Sequence, residues 1–470
     1  MTDLHDSVTL LSKPPKLVKG AKKYSRRRAI AHLVWSGLSA AVLSVGIASA
    51  PARADSTITI ATVNNGDMVV MQKLSGQFEQ QHPDIHLRWV VLEENVLRQR
   101  VTTDIATKAG QFDVMTIGNY EVPIWAKQGW LEPMDNLPAS FAVDDLLKPV
   151  RDGLTYNGKL YSLPFYAESA MTYYRTDLFD KAGIKMPDAP TYAQIRGFAD
   201  KITDKPNQIY GICLRGKPGW GENMAFVTSL VNADGGQWFD MQWKPAIDTA
   251  AWRTAVGYYD DILKADGPPG ATSNGFNENL ALFSSGHCGM WIDATVAGGL
   301  LFDKKQSTVA DKVGFAPIPT GSFKNAPSWL WSWNLGIPAS SKQKEAARTF
   351  VTWATSKEYI QLVAKENGWV SVPPGTRQST YDSPEYQKAA PFAGFVLKAI
   401  EAANPNGQTQ EPRPYEGAQF AAIPEFQGIG TQVGQTIAGT LTGQSTVDQA
   451  LKTAQSATER TMRQAGYPKK

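Results

Sequence analysis

The chain has 470 residues, and its 47 basic and 44 acidic side chains give a net charge of +3. Nine of the basic and two of the acidic residues lie within residues 1–54, so the remainder has 38 basic against 42 acidic residues and a net charge of −4. Because the basic excess is confined to one end, the rest of the chain lacks the basic surface that nucleic-acid binding requires.

Residues 1–54 have the pattern of a secretory signal peptide. A basic segment ending in three arginines, residues 26–28, precedes an apolar stretch over 29–50, and small-x-small sites follow it. We predict cleavage near Ala50 or Ala54 and export to the periplasm. An uncleaved membrane anchor is the alternative. The double arginine also resembles a twin-arginine signal, which leaves the export route open.

The residues after 54 are numerous enough for two domains. At their start, strand-like and helical patterns alternate: strand 57–63, helix to about 81, strand 85–91, helix 96–109 and strand 112–117. This order predicts a parallel sheet with crossover helices, in which ligands bind beyond the carboxyl ends of the strands. No later run approaches 18 apolar residues, so we predict no membrane span there.

Further along, the same patterns predict both strands and helices. The predicted extended segments are 160–164, 170–175, 210–214, 288–292, 313–316 and 334–337, and the predicted helices are 191–202, 220–232, 252–264, 277–285, 344–355, 357–367, 392–402 and 447–465.

The chain has two cysteines, Cys213 and Cys288. In an oxidising compartment they can pair, and closing a loop of this length stabilises a fold by roughly 4–5 kcal/mol on the chain-entropy model. Two separate buried thiols are the alternative. Neither cysteine lies near the predicted cleavage site, so we expect a protein free in the periplasm and not a lipid-anchored one.

Thirteen of the 14 tryptophans follow residue 54, and they cluster. Indole rings stack on the C–H faces of sugars and polyols, while neighbouring polar groups bind the hydroxyls. In an exported protein this composition favours carbohydrate binding.

Four segments, in this order, resemble the type 1 extracellular solute-binding family, the relatives of maltose-binding protein. They are ITIATVNNGD, FDVMTIGNYEVPIWAKQGWLEPMD, NGKLYSLPFYAESAMTYYRTDLFDKAGI, and GHCGMWIDATVAG with the later VGFAPIPTG and NLGIPASSKQKEAARTFVTWATSKEYIQLV. They span nearly the whole chain after residue 54. Within the family, the phrases NNGDM, CLRGKPGWGENM and MWIDATVAG are most similar to the mannitol/sorbitol branch.

The resemblance implies an α/β periplasmic-binding-protein fold of type II, with two lobes that are each a mixed, mostly parallel sheet flanked by helices. An N-lobe would comprise 55–165 and 294–328, and a C-lobe 166–293 and 329–470, with ligand clamped between them. The implied function is that of the periplasmic substrate-binding protein of an ABC importer. Its partners would be a sugar alcohol or small sugar and the membrane permease subunits. We expect a monomer with no cofactor, metal or nucleic acid.

Candidate ligand-binding residues are those that suit a polyol, because carboxylates and amides accept from hydroxyls and indoles stack on C–H faces. The candidates that follow predicted strands, or lie in the first lobe crossing, are Asn65, Asp67, Glu94, Asn119 and Glu168. For Glu168 the resemblance carries the assignment, since the maltose-binding relatives have a ligand-contacting Glu there. The alternatives are a helix N-cap for Asp67, an exposed acidic pair for Glu94 and a hinge salt bridge for Glu168.

The densest group of polar and aromatic residues lies around a predicted helix start, whose N–H groups favour oxygen ligands. The candidates there, and at the second crossing and the tryptophan-rich segment beyond it, are Arg215, Trp220, Glu222, Asn223, Trp291, Asp293 and Trp331. Strand alternation places Trp291 and Asp293 on one face. Trp329 and Trp333 alternate with Trp331 in the same way. Inter-lobe packing is the alternative for these indoles, and Arg413 and Trp369 are weaker candidates.

An enzyme is the competing class, because clustered tryptophans and paired carboxylates also describe a glycoside hydrolase. The chain has no G-x-S-x-G, G-x-x-x-x-G-K-[ST] or H-E-x-x-H motif. His82 and His86 have no third metal ligand nearby in sequence, which argues against zinc. We therefore expect a binding protein and not an enzyme, with a di- or oligosaccharide as the alternative ligand.

Overall fold

The computed structural model describes residues 55–324, 329–403, 405–407 and 410–468. The predicted signal peptide and its cleavage sites lie outside these ranges. Within them, no helix is long and apolar enough to cross a membrane.

The strands alternate with helices through the first part of the chain. They are β1 (Ser56–Val63), β2 (Ile85–Leu92), β3 (Val114–Gly118), β4 (Thr155–Tyr156), β5 (Lys159–Leu160), β6 (Ser162–Glu168), β7 (Ala170–Arg175), β8 (Met290–Ala294), β9 (Val313–Pro317) and β10 (Trp331–Gly336).

The helices surround the strands and make up most of the carboxyl-terminal part. They are α1 (Gly66–Gln81), α2 (Glu94–Thr107), α3 (Glu121–Lys127), α4 (Lys148–Gly153), α5 (Thr176–Lys181), α6 (Tyr192–Ile202), α7 (Asn223–Ala233), α8 (Ala250–Asp266), α9 (Phe276–Ser284), α10 (Gly298–Leu301), α11 (Lys344–Ala354), α12 (Lys357–Asn367), α13 (Gln378–Asp382), α14 (Pro384–Ala389), α15 (Ala393–Glu401), α16 (Phe426–Leu441) and α17 (Val447–Gln464).

The first sheet has the strand order β2-β1-β3-β10-β6. β1 pairs in parallel with β2 and β3, whereas β10 runs antiparallel to β3 and β6. The β-branched sequence of β1 is buried from Ile58 to Val63, and the chain then turns directly into α1. The Asn65 side chain caps that helix by accepting from the Met68 N–H at 3.0 Å, which fixes the turn at the carboxyl end of β1.

The second sheet has the order β8-β7-β9, and its strands pair antiparallel. The α/β class is as predicted, but the pairing in this sheet is not the mostly parallel one expected. The segment 210–214 makes only single parallel bridges, from Tyr210 to Cys288 and from Cys213 to Trp291. It therefore lies beside β8 without forming the strand predicted for it.

Two strands belong to the opposite sheet from the one that the predicted lobe boundaries imply. β9, expected with 55–165, pairs with β7, and β10, expected with 166–293, pairs with β3 and β6. The reason is that the chain leaves the first sheet between β6 and β7 and builds the second sheet up to Pro317. It returns to the first sheet only with β10. The limits of the lobes as moving bodies stay a prediction.

A disulfide joins Cys213 to Cys288, whose Cα atoms are 5.9 Å apart. The structure thus has the paired form of the two alternatives. The bond holds the 210–214 segment against the start of β8.

Candidate functional site

A cavity of about 130 Å³, partly open to solvent, lies beyond the carboxyl ends of β1 and β2 and is faced by the segments that begin α7 and α9. The carboxylates in its lining are those of Glu93, Glu94, Glu168, Glu222 and Glu278, and the cations are those of Arg98, Arg215 and Lys217. The aromatic lining is formed by Tyr166, Trp220, Phe276, Trp329, Trp331 and Trp333. A concave site with large aromatic faces and convergent polar groups is typical of small-molecule binding.

Seven of the twelve predicted ligand-binding residues line this cleft. They are Asn65, Glu94, Glu168, Arg215, Trp220, Glu222 and Trp331. Asn65 follows β1 and Glu168 ends β6, both in the first sheet, whereas Trp220 precedes α7. Their contact with a ligand stays a prediction.

The other five predicted residues lie around the cleft without lining it. Asp67 lines a separate cavity beside α10, and Asn65, not Asp67, caps α1. Asn119 follows the end of β3, and its side-chain Nδ2 donates to the carbonyl of Leu330, just before β10, at 3.4 Å. Asn223 is buried and donates to the Gly434 carbonyl at 2.9 Å. Trp291 and Asp293 lie behind Arg215, and Asp293 is hydrogen-bonded to both.

Asp293 fixes the position of Arg215. The Arg215 guanidinium donates through Nη2 and Nε to the two carboxylate oxygens of Asp293, at 2.6 and 2.9 Å. Asp293 also accepts from Trp291 Nε1 at 3.0 Å. Burial alone would lower the pKa of Arg215, but the Asp293 charge holds that pKa above its ordinary value. Arg215 is therefore a permanent cation in the cleft wall, and Asp293 supports it from behind.

Glu222 is almost fully buried, with 4% of its surface exposed. Burial, followed by the charge of Glu94, raises the pKa of Glu222 to about 8, while Arg215 and Lys217 oppose the shift. Arg215 Nη1 lies 3.7 Å from the carboxylate. Gly275 packs so closely that a Cβ there would come within 2.7 Å of the Glu222 oxygens. The carboxylate is thus held in one place.

Four buried polar atoms of cleft-lining residues have no hydrogen-bond partner within the described part of the chain. They are Trp220 Nε1, Glu222 Oε2, Trp329 Nε1 and Gln419 Oε1. Buried polar groups in folded proteins are nearly always paired. Two donors and two acceptors on residues that line one cavity therefore suit a ligand that both donates and accepts, as a hydroxyl group does.

Glu168 adds a further buried carboxylate at the end of β6. Burial raises its pKa well above the ordinary value, and the charge of Arg215 opposes that shift. Asn65 donates to the Tyr166 hydroxyl at 2.8 Å on the neighbouring side of the cleft. A carboxylate, a phenol and an amide therefore lie together near the carboxyl ends of β1 and β6.

Sequence reasoning missed Arg98, Tyr166, Lys217, Phe276, Asn277 and Gln419 as lining residues. Arg98 lies one turn after the start of α2, where nothing in the sequence distinguishes it from a surface arginine. Only its i,i+4 spacing from Glu94 offered a signal. The weaker candidates Arg413 and Trp369 do not line the cleft, and Arg413 donates to the Gly417 carbonyl.

Contacts at the mouth of the cleft join its two sides. Lys217 Nζ lies 2.6 Å from Glu93 Oε1, and Asn95 Nδ2 donates to the Pro218 carbonyl at 3.2 Å. Asn277 Nδ2 donates to the Asn64 carbonyl at 2.8 Å. These contacts narrow the entrance between α2 and the segments before α7 and α9.

Within the described residues, no group of three or more His, Cys, Asp or Glu side chains is arranged to hold a metal ion.

Comparison with known proteins identifies the family. Residues 64–361 match the family model described as bacterial extracellular solute-binding protein. The mannitol-binding protein of Pseudomonas aeruginosa is 57% identical over 413 residues, which cover 88% of this chain and 94% of that protein. These matches confirm the resemblance drawn from the sequence.

Solved structures agree in fold along the same part of the chain. A solute-binding protein of an ABC transporter from Agrobacterium vitis S4, with bound D-mannitol, superposes with a TM-score of 0.87 at 60% identity and covers 88% of this chain and 100% of its own. One from Agrobacterium radiobacter K84, in complex with ribitol, gives a TM-score of 0.77 at 25% identity and covers 87% and 99%. This chain belongs to the bacterial extracellular solute-binding protein family.

Proposed function

We propose that the protein is the periplasmic substrate-binding component of an ABC importer and that its ligand is a linear sugar alcohol of the mannitol type. The observation that carries the proposal is the set of unpaired buried donors and acceptors in an indole-lined cleft. Two relatives support the choice of ligand: the P. aeruginosa protein is named for mannitol, and the A. vitis structure contains D-mannitol.

The cleft chemistry suits an uncharged polyol. Glu222 Oε2 and Gln419 Oε1 accept from ligand hydroxyls, Trp220 Nε1 and Trp329 Nε1 donate to them, and the indole faces cover the carbon chain. Arg215 supplies further donors in a fixed fork. Since carboxylates and cations both line the cleft, recognition rests on hydroxyl geometry and stacking rather than on ligand charge.

We assign the remaining predicted site residues to supporting roles. Asn119, Asn223, Trp291 and Asp293 hold the segments that carry the lining residues, as their hydrogen bonds indicate. Asp67 lies two residues after Asn65, against a different cavity. Ligand contact is therefore proposed for the seven lining residues.

The transport role adds finer proposals. The signal peptide is removed near Ala50 or Ala54, the mature monomer is free in the periplasm, and it delivers ligand to the permease subunits of the importer. Ligand binding closes two lobes built on the two sheets. Contacts such as Lys217 with Glu93 join the two sides of the cleft and suit a closed form.

Binding measurements on the protein recovered from the periplasm test the proposal. The full-length gene is expressed, the amino terminus of the exported product is sequenced, and calorimetry and thermal unfolding are run with mannitol, sorbitol, arabitol, ribitol and maltose. Mannitol-type polyols are expected to bind and to raise the melting temperature by mass action.

The opposite results are equally clear. If no polyol binds or raises the melting temperature, the polyol assignment is wrong. Tight binding of maltose alone would favour the di- or oligosaccharide alternative, and turnover of a glycoside would contradict a pure binding role.

A further inference from the structure

We infer that Arg98 determines ligand size: it closes one end of the cleft and excludes saccharides that extend a polyol by another ring. The inference rests on the proposed function, because it concerns which members of the polyol and sugar class the cleft admits. It depends on how firmly Arg98 is held, on what it touches and on what lies behind it.

Two carboxylates hold the Arg98 guanidinium from different elements. Nη2 lies 2.8 Å from Glu94 Oε1, one turn earlier in α2, and Nη1 lies 3.2 Å from Glu121 Oε1, at the start of α3. Arg98 is 3% exposed and Glu121 is 2% exposed. The guanidinium is therefore anchored at both of its ends inside the protein, although it lines the cleft.

Three indoles surround the same group. The Arg98 carbon Cζ lies 4.1 Å from the ring centroid of Trp220, 4.6 Å from that of Trp333 and 4.8 Å from that of Trp331. Each is within the range of a cation–π contact, which is stronger when the pair is desolvated. Trp220 comes from the segment before α7 and the other two from β10, so Arg98 joins elements from both sides of the cleft.

The space behind Arg98 is filled. Glu121 Oε2 accepts from the Gly118 N–H at 3.0 Å, and Trp331 packs so closely on Gly118 that a Cβ there would lie 2.0 Å from the ring. On the near side, a Cβ at Gly221 would lie 2.2 Å from Glu94 Oε1. A ligand group that reached this end of the cleft would have to displace Arg98 itself.

Displacing Arg98 is unfavourable because it leaves Glu121 buried without an opposite charge. Burial raises the pKa of Glu121, and the charge of Arg98 is the chief opposing influence. Breaking a buried ion pair by removing one partner is strongly destabilising. A flexible, solvated lysine would yield to an extra sugar ring, whereas a planar guanidinium fixed by two carboxylates and three indoles does not.

The test compares mannitol with maltitol, an alditol that carries one additional glucosyl ring. Calorimetry is run on the wild type, Arg98→Ala and the control Arg100→Ala, which removes an exposed arginine two residues further along α2. We expect the wild type and Arg100→Ala to exclude maltitol. Arg98→Ala is expected to bind maltitol at least about tenfold more tightly than the wild type does.

A folded Arg98→Ala protein that still rejects maltitol overturns the inference. If Arg98→Ala does not fold, the double variant Arg98→Ala/Glu121→Gln removes the uncompensated carboxylate and is read by the same criterion. A wild type that binds no polyol at all would instead contradict the proposed function, so the two failures are distinguishable.

Discussion

At the scale of single residues, the cleft combines a fixed cation, Arg215, with carboxyl groups whose pKa values burial raises. Asp293 holds Arg215 as a cation, because its two carboxylate oxygens accept hydrogen bonds from Arg215 Nε and Nη2. Glu222, only 3.7 Å from the same guanidinium, has its pKa raised by burial to about 8. Its protonation therefore changes near pH 8.

This shift predicts how Glu222 affects stability. The unfolded chain releases the Glu222 proton near the ordinary pKa of 4.5, whereas the folded protein retains it until about pH 8. The group therefore stabilises the fold fully below pH 4.5, and that contribution is lost as the pH rises to about 8. Glu222→Gln stays neutral at every pH. The wild type should therefore lose up to a few kcal/mol of unfolding free energy relative to this variant as the pH rises across this range.

Urea unfolding of both ligand-free proteins at pH 5 and pH 8.5 measures the difference. The wild type at each pH is the reference, because all other titrating groups are common to the two proteins. A difference in unfolding free energy that is the same at both pH values would show that Glu222 keeps an ordinary pKa.

At the scale of elements, the disulfide supports the cleft wall. Cys213 precedes Arg215 by two residues, and Cys288 lies just before β8, which carries Asp293. The 210–214 segment lacks the ladder of a true strand and is tied to β8 by single bridges. The covalent bond therefore does what a strand pairing would otherwise do.

Replacing both cysteines by alanine should lower the free energy of unfolding by about 2–5 kcal/mol, because the bond closes a loop of 75 residues in the unfolded chain. Mannitol affinity should fall as well, since the segment carrying Arg215 loses its tether. Urea unfolding and calorimetry measure the two effects, with Cys213→Ala alone expected to match the double variant. An unchanged unfolding midpoint would show that the bond has no stabilising role.

Much of the element order was predictable because it depends on local patterns. The strands β1, β2 and β3 and the helices between them follow from β-branched runs and helical spacing, with small shifts at their ends. The helix α16 was not predicted, because four glycines within it weaken the helical signal. Two of them permit close packing, as a Cβ at Gly430 would lie 2.7 Å from Trp220 Cβ, and one at Gly434 would lie 2.6 Å from Asn223 Oδ1.

Candidate site residues were predictable where they stand at the exit of a strand or the start of a helix. Asn65, Glu168 and Glu222 occupy such positions and line the cleft. Alternation also placed Asp293 and Trp291 on one strand face, but sequence cannot show that Arg215 stands between that face and the cavity. Arg98 was missed because Glu121, Trp220 and Trp331, which hold it, are distant in sequence.

At the scale of the whole molecule, the ion pair between Lys217 and Glu93 bridges the mouth of the cleft. Glu93 caps α2 on the side of the first sheet, and Lys217 lies before α7 on the other side, with their charged atoms 2.6 Å apart. Both side chains are partly exposed, so the pair contributes modestly and salt weakens it. If the lobes must part for ligand to leave, this contact breaks in the same step.

Glu93→Gln isolates that contact, because glutamine keeps an oxygen that can cap the Asn95 and Val96 N–H groups while losing the charge. Since an exposed ion pair contributes about 0.2–1 kcal/mol, the variant should release mannitol up to about fivefold faster than the wild type at low salt. The difference should vanish near 1 M salt, where screening acts over about 3 Å. Stopped-flow tryptophan fluorescence measures the rates, with Asp152→Asn, from an exposed pair with Lys148 on α4, as the control. Equal release rates for Glu93→Gln and Asp152→Asn at low salt would show that the Lys217 contact does not oppose opening.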